Sequence, residues 1–380
     1  MAPGLTETSV DPRAVFSYDK PSKAVFPDGL KTSGQCPPKY EQLVPYERFP
    51  KEISGPTVWD NEDYKNNPER WTHYFSEEEV KEMSDAADEF IASGTPLTGI
   101  TKDKFRLPSM SVFLEALRKE ILDGKGFLLF KGFPVKEWGN AKSAVAYMGL
   151  GTYLGYFVAQ NGPGHVLGHV KDTGADATQI DKVRIYRTAA RQFFHADDSD
   201  IVGLLCIARS LEGGESDIAS SHHVFNVLQR EQPDVIETLA QPILPVIYKE
   251  TGTDGRVYTK WDPYYVHSLT RFSNAGIIPP LSEAQHKAAR VLEETCQRLA
   301  LHIILEVGDI QFLSNAHVLH SRTAYKDSPP PHPARHLMRL WLATPETEGG
   351  WKLPFVDSAH KKRGGVQVDD TPPRAPLDAE

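Results

Sequence analysis

The chain has 380 residues, 40% hydrophobic and 24% charged, and its 17 Phe, 14 Tyr and 6 Trp supply one large core or two modest ones and exclude a wholly disordered chain. Its 42 Lys+Arg against 51 Asp+Glu leave a formal charge of -9, which argues against nucleic acid or an anionic membrane as the main partner. Cys36, Cys206 and Cys296 lie far apart and form no CxxC, so neither a disulfide framework nor a structural zinc site is expected. The first residues, MAPGLTETSVDPR, carry no apolar run, and no stretch reaches the ~20 apolar residues of a membrane helix, so a cytoplasmic location without a membrane span is expected.

Residues 1–50 show no sustained period and read as a loosely structured arm with a turn at CPPKY (36–40). One domain is expected over 51–350. FSEEEVKEMSDAADEFIASG opens on a capping box, Ser76 with Glu79, and Val80, Met83, Ala87, Phe90 and Ile91 recur at helical spacing before Gly94 closes the segment. SMSVFLEALRKEILDG (109–124) reads as a second amphipathic helix, and GFLLFKGF (126–133) as a buried strand. SEAQHKAARVLEETCQRLA (282–300) starts with Ser282 and Gln285 in capping-box register and leads into LHIILEVGDIQFLSN, two apolar runs broken at Gly308-Asp309. The tail 361–380 has almost no large apolar residues and is expected to be disordered. Beyond residue 180 the extended runs are joined by long irregular segments, which suits an α+β fold with a sandwich or barrel core better than a doubly wound sheet. No GxGxxG or GxxxxGK[ST] occurs, so no dinucleotide or P-loop site is indicated.

In FFHADDSD (193–200), His195 and Asp197 are two apart, which on a strand puts both side chains on one face, about 6.6 Å apart at ~3.3 Å per residue. One metal ion is within reach of both, although a single HxD also arises by chance. SNAHVLHSRTAY (314–325) offers His317 and His320, which face opposite ways on an extended chain, so only one should be a ligand. With His320 the set becomes two histidines and one carboxylate, which leaves coordination positions open and suits a non-haem Fe(II) that activates O2. In PARHLMRLWLAT (333–344), Arg335, Leu337, Arg339 and Trp341 share one strand face. Two arginines there need anions: a dicarboxylic cosubstrate and an acidic substrate, or Asp and Glu partners in structural ion pairs. GGES (213–216) fits a tight turn, from which Ser216 could donate a hydroxyl hydrogen bond to a carboxylate.

Taken in order and spacing, FHADDSD, GGES, GDIQFLSN, LHSRTAY and RHLMRLWL resemble the TauD/TfdA superfamily of Fe(II)- and 2-oxoglutarate-dependent dioxygenases, most of all its clavaminate-synthase-like branch of fungal type. The resemblance runs from YERFPKEISGPTVW (46–59) to RLWLAT (339–344). It implies a double-stranded β-helix (jelly roll) with flanking helices, with His195, Asp197 and His320 as iron ligands. It also implies that Ser216 and Arg335 hold the far carboxylate of 2-oxoglutarate and that Arg339 faces an anionic group of the substrate. Because Asp197 is present, the resemblance disfavours the halogenases, which replace that carboxylate. The implied activity is oxidation of a C–H bond, by hydroxylation, desaturation or ring closure, in a small acidic metabolite such as an amino-acid derivative, with Fe(II), 2-oxoglutarate and O2. The alternative is a metal-bearing jelly roll that binds or senses without turnover. Relatives are often dimers or tetramers, so a homo-oligomer is compatible with it. GYFVAQNGPGHVLGHVKDTG (155–174) falls where relatives line the substrate. Gln160, Asn161 and His165 are its candidates for substrate contact, against an ordinary loop that satisfies its own backbone. The aromatics of KWDPYYVHSLTRF (260–272) read as core in preference to pocket wall.

Overall fold

The computed structural model describes residues 43–179, 183–241, 246–250, 255–352, 363–366 and 371–379. The expected turn at 36–40, and most of the expected arm, lie outside the described residues.

Local chemistry sets the helices. Ser76 accepts from the Glu79 backbone while the Glu79 side chain accepts from the Ser76 backbone, and helix Glu77–Ala92 then buries Met83, Ala86, Ala87 and Phe90. Helix Ser111–Asp123 buries Leu114, Leu117, Ile121 and Leu122. Helix Val135–Gly151 breaks at Gly139, where φ is +68°, and is buried continuously from Ser143 to Gly151. The Ser282–Gln285 capping box starts helix Glu283–Leu299 as its spacing predicts.

Among the described residues the strands run, in chain order, β1 (Thr72–Tyr74), β2 (Phe127–Lys131), β3 (Tyr156–Phe157), β4 (Leu167–Lys171), β5 (Gln192–His195), β6 (Ile201–Ala208), β7 (Glu212–Gly213) and β8 (Ser216–Ser220). After them come β9 (Ile247–Lys249), β10 (Val257–Thr259), β11 (Leu301–Ile303), β12 (Ile310–Ser314), β13 (Val318–Arg322), β14 (Tyr325–Lys326) and β15 (His336–Ala343). The major sheet has the order β1-β2-β12-β6-β15-β3, with β4 also paired to β15, and the minor sheet the order β11-β8-β13-β5. Within them only β1 and β2 are parallel.

The period of two sorts the side chains into layers. On β15, Met338, Leu340 and Leu342 join Ile201, Leu205 and Phe312 under the helices Glu77–Ala92, Ser111–Asp123 and Val135–Gly151. Leu337, Trp341 and Ala343 point the other way, to the layer that holds Val202, Leu204, Ile218 and Val318 between the sheets. Behind the minor sheet, Phe194, Ala219 and Leu319 pack against helices Ser221–Glu231, Pro233–Leu239 and Glu283–Leu299. Helix, sheet, sheet and helix layers make the α+β jelly roll with flanking helices that the sequence implies. No described helix is long and apolar enough to cross a membrane.

The tail departs from its composition. Arg363 pairs with Asp200 at 2.6 Å, Val366 N donates to Ala159 O, Val166 N donates to Arg374 O at 2.8 Å, and Lys171 meets Asp378 at 2.7 Å. The described part of 361–380 is thus held by main-chain hydrogen bonds and ion pairs, which a count of large apolar residues does not register.

Candidate metal centre and cavity

His195 ends β5 and His320 sits on β13, and the two are direct partners in the antiparallel register. Their rings lie 4.1 Å apart between centroids. Asp197 follows β5 by two residues, with its main-chain N–H held by Asn315 Oδ1 at 3.0 Å. Its Oδ1 is 3.8 Å from His195 Nε2 and its Oδ2 3.9 Å from His320 Nε2. The three residues are buried, and their candidate ligand atoms all lie within 4.8 Å of one another.

The surroundings set the protonation that a cation needs. Burial, and then His195, push His320 down to about 3 against the opposing pull of Asp197, so its imidazole is neutral at neutral pH. Burial works to raise the Asp197 carboxyl. Arg339 first, then the two histidines and the Trp341 hydrogen bond, outweigh it and hold the group below its ordinary value. His195 Nδ1 lies 2.9 Å from Phe193 O, to which it donates, and its Nε2 is the ring nitrogen nearer Asp197. The Gln192 side-chain amide lies 2.9 Å from that Nε2. Trp341 Nε1–H donates to Asp197 Oδ2 at 2.8 Å. Two imidazoles and one oriented carboxylate fit a divalent iron with open positions.

Two hollows meet at this triad. The larger, about 220 Å³, is lined by Arg184, Tyr186, Asp262, Tyr265, Arg271 and Arg339 together with His195 and Asp197. The narrower one holds Ser216, Arg322, Arg335 and Leu337 beside His195, Asp197 and His320. There Ser216 Oγ–H donates to Gln311 Oε1 at 3.0 Å, and Arg335 Nη2 donates to Gly214 O at 3.0 Å. Gly213 and Gly214 sit at φ +70° and +79°, the turn predicted for GGES, and a Cβ on Gly214 would come within 2.6 Å of Arg335 Nε. Arg335 Nη1 and Gln311 Nε2 are buried and make no hydrogen bond with a described residue. Arg335, which lines this hollow with an unused buried donor, fits a carboxylate such as that of the implied cosubstrate.

The structure thus brings His195, Asp197, His320, Ser216, Arg335 and Arg339 together. Of the histidines of 314–325, His320 joins the triad, whereas His317 is buried away from it, stacked at 5.2 Å on Trp351 with Nε2 3.1 Å from Leu122 O. Gln160 acts on Arg339: its Oε1 accepts from Arg339 Nε at 2.9 Å and its Nε2 donates to Arg339 O at 2.9 Å. Asn161 and His165 bond each other, 3.1 Å between Nδ2 and Nδ1, and neither is among the described residues lining the two hollows. For these two the self-satisfied loop is what forms, because the Asn161 side chain also takes the His165 backbone N–H. Of the aromatics in 260–272, Trp261 and Tyr264 are buried in hydrophobic clusters, as expected, while the segment also reaches the cavity. Asp262 accepts from the backbones of Tyr264 and Tyr265 to start helix Pro263–Ser268, which carries Tyr264 and Tyr265 into the cavity wall.

Arg184, Asp262, Arg271 and Arg322 escaped the sequence reading. Arg184 and Asp262 cap short helices and Arg271 lies in the short helix Thr270–Asn274, none long enough for a period to flag them. Arg322 had a signal, the two-residue step from His320 along a strand. Burial, and then neighbouring Arg335, bring its guanidinium down to about 10.

The profile of the family described as "Taurine catabolism dioxygenase TauD, TfdA family" matches residues 93–341. The taurine hydroxylase-like protein SAT17 of Stachybotrys chartarum (strain CBS 109288 / IBT 7711) is 26% identical over 299 residues, 73% of this chain and 76% of that protein. FR-33289 synthase of Streptomyces rubellomurinus (strain ATCC 31215) is 25% identical over 333 residues, 83% of this chain and 96% of that protein. Among solved structures, an asparagine oxygenase with Fe(II), 2S,3S-3-hydroxyasparagine and succinate superposes with a TM-score of 0.54 at 15% identity, covering 72% of this chain and 94% of that one. The non-heme iron oxygenase OrfP, with Fe, succinate and (3S)-hydroxy-L-Arg, gives 0.53 at 13% identity and the same coverage. With well over half of its length matched by the family profile and the candidate ligand set assembled in the fold that the family implies, this chain belongs to the TauD/TfdA dioxygenase family.

Proposed function

We propose that this protein is an Fe(II)- and 2-oxoglutarate-dependent oxygenase that oxidises a C–H bond of a small, charged metabolite. The observation that carries the reading is the placement of three candidate ligand atoms within 4.8 Å of one another at the junction of a cavity and a hollow lined by buried arginines. Bound iron with 2-oxoglutarate and O2 supplies the oxidant, the cosubstrate leaving as succinate and CO2. The chain does the positioning. His195, Asp197 and His320 hold the metal, Trp341 and Arg339 orient the Asp197 carboxylate, and Ser216 with Arg335 receives the far carboxylate of the cosubstrate. Their burial excludes water from the site.

The larger cavity carries both signs of charge, Arg184, Arg271 and Arg339 against Asp262 and Asp198. Arg339 Cζ lies 4.6 Å from the Tyr186 ring centroid and 4.8 Å from that of Trp341, so the guanidinium is fixed between two rings. Cations gathered about Arg339 suit an acidic group, and Asp262 suits an ammonium. A small amino acid or amino-acid derivative presents both. SAT17, asparagine oxygenase and OrfP carry names or bound molecules consistent with such small substrates.

The test is anaerobic addition of 2-oxoglutarate to the Fe(II)-loaded protein, followed by admission of O2. A visible charge-transfer band that His195→Ala abolishes, with succinate formed on oxygenation, is the expected result. A band without succinate, in the presence of candidate amino acids, would favour the metal-binding protein without turnover. Absence of any band from iron-loaded protein overturns both the oxygenase reading and the assignment of the hollow.

A further inference from the structure

We propose that Arg322 is a second arginine of the cosubstrate pocket and grips the far carboxylate of 2-oxoglutarate together with Arg335. The inference rests on the oxygenase reading of the site and adds a residue to it.

Strand parity places Arg322 there. It is two residues beyond the ligand His320 on β13, opposite Ser216 on β8 and Gln192 on β5, so it shares the inward face with both. It lines the same hollow as Ser216 and Arg335. Both guanidiniums rest against one ring, Arg322 Cζ 4.9 Å and Arg335 Cζ 5.0 Å from the centroid of Tyr325. Arg322 is only 5% exposed and Arg335 only 4%.

The hydrogen bonds show what is missing. Arg322 Nη2 donates to the main-chain carbonyls of Thr188 and Ala190, and Arg335 Nη2 to that of Gly214. These carbonyls are neutral, and Asp172 and Asp327 attract the two guanidiniums only from beyond hydrogen-bond reach. Arg322 Nε and Nη1 and Arg335 Nη1 are all buried and make no hydrogen bond with a described acceptor. Two cations held side by side out of water are costly unless an anion joins them. A carboxylate with two oxygens takes donors from both guanidiniums at once, and the hollow that holds them opens on the metal triad, where the other end of 2-oxoglutarate must lie. The carbonyl contacts of Nη2 also tie Arg322 to the segment before β5, so a purely structural role is the rival to exclude.

The experiment measures coupling between the side chain and the carboxylate. Anaerobic Fe(II)-loaded wild type and Arg322→Gln are titrated with 2-oxoglutarate and with 2-oxopentanoate, which lacks the far carboxylate. Iron affinity and the melting temperature of the metal-free protein are followed in parallel. We expect Arg322→Gln to weaken 2-oxoglutarate at least about tenfold while shifting 2-oxopentanoate little, so that the preference for the dicarboxylate shrinks. Should glutamine prevent folding, Arg322→Lys keeps a cation and a donor for the carbonyls, and its reduced preference is read in the same way. An unchanged preference in a folded variant, with a lowered melting temperature, overturns the proposal in favour of the structural tie. A wild type that binds neither oxo acid overturns the oxygenase reading itself.

Discussion

Trp341 donates its indole N–H to Oδ2 of Asp197 at 2.8 Å, and both side chains are buried. The indole sits on β15 of the major sheet and the carboxylate just beyond β5 of the minor sheet, so this hydrogen bond joins the two halves of the sandwich at the candidate metal centre. It leaves one lone pair of the carboxylate directed and the rest of the group able to meet a cation. Trp341→Phe keeps a ring in the core and removes the donor. We expect Fe(II) to bind about 10–100-fold more weakly, as for other groups that orient a metal ligand, and a competition titration against a chelator reads the change.

Arg339 is the strongest influence holding the Asp197 carboxyl below its ordinary value. In Arg339→Leu that carboxyl rises, so protons compete with iron at a higher pH. The sign is fixed: iron binding falls on acidification in both proteins, and the midpoint lies at higher pH in the variant. Fe(II) affinity measured between pH 7.5 and 4.5 (a range of about 3 units around the ordinary carboxylate and histidine values) checks it. Unchanged midpoints would separate Arg339 from the metal centre.

Gln160 bonds Arg339 twice, through Oε1 to Nε and through Nε2 to the main-chain carbonyl, each at 2.9 Å. Gln160→Leu leaves the guanidinium stacked but free to tilt. Oxidation of an acidic substrate should lose about tenfold in kcat/KM, while 2-oxoglutarate affinity, which depends on the neighbouring hollow, stays within about twofold. Steady-state kinetics with the anaerobic titration distinguishes the two.

Gly126 holds φ at +84°, and a Cβ there would lie 2.3 Å from Cε1 of His317. The backbone and the buried ring both resist the change. Gly126→Ala should cost about 2–4 kcal/mol of stability, read by chemical denaturation, with iron affinity of the folded protein preserved because His317 lies outside the candidate triad.

The same histidine, with His222, gives the fold an acid limit. Burial pushes His222 down to about 4 and His317 down to about 3 from an ordinary 6.5. The unfolded chain therefore takes up protons that the folded chain refuses between pH 6.5 and the folded values. Their contribution to stability is constant above that window and falls as pH drops through it, by up to about 1.4 kcal/mol per unit and per histidine. Melting of the metal-free protein from pH 8 to 5 (about 3 units) should show the decline, and His317→Phe should make it shallower.

How far the sequence reached depended on whether a residue's partners are close in the chain. The capping boxes at Ser76 and Ser282 are local, and both helices start there. The alternation Arg335, Leu337, Arg339, Trp341 needs only a strand and two faces, and β15 divides as that alternation requires. Helix Val135–Gly151 left no stripe because from Ser143 onward it is buried on every side. Gln160 pointed to the right arginine but not to its own task, since its partner lies 179 residues away. The choice between His317 and His320 likewise needed the third dimension: one ring stacks on Trp351, the other faces His195 across a strand pair.

The docked tail has a consequence for the surface of the sheet. β4 is bonded to β15 on one side, and on the other its approach and its first residues meet Arg374 and Pro376: Arg374 N–H donates to Gly164 O, Val166 N–H to Arg374 O, and His169 Nε2 lies 2.9 Å from Pro376 O. A strand with a bare flank invites the same strand of another molecule. The last residues therefore act as a guard rail along the open margin of the sheet, one strand away from Arg339. Their loss would be felt first as stickiness between molecules and only then, through β15, at the active centre.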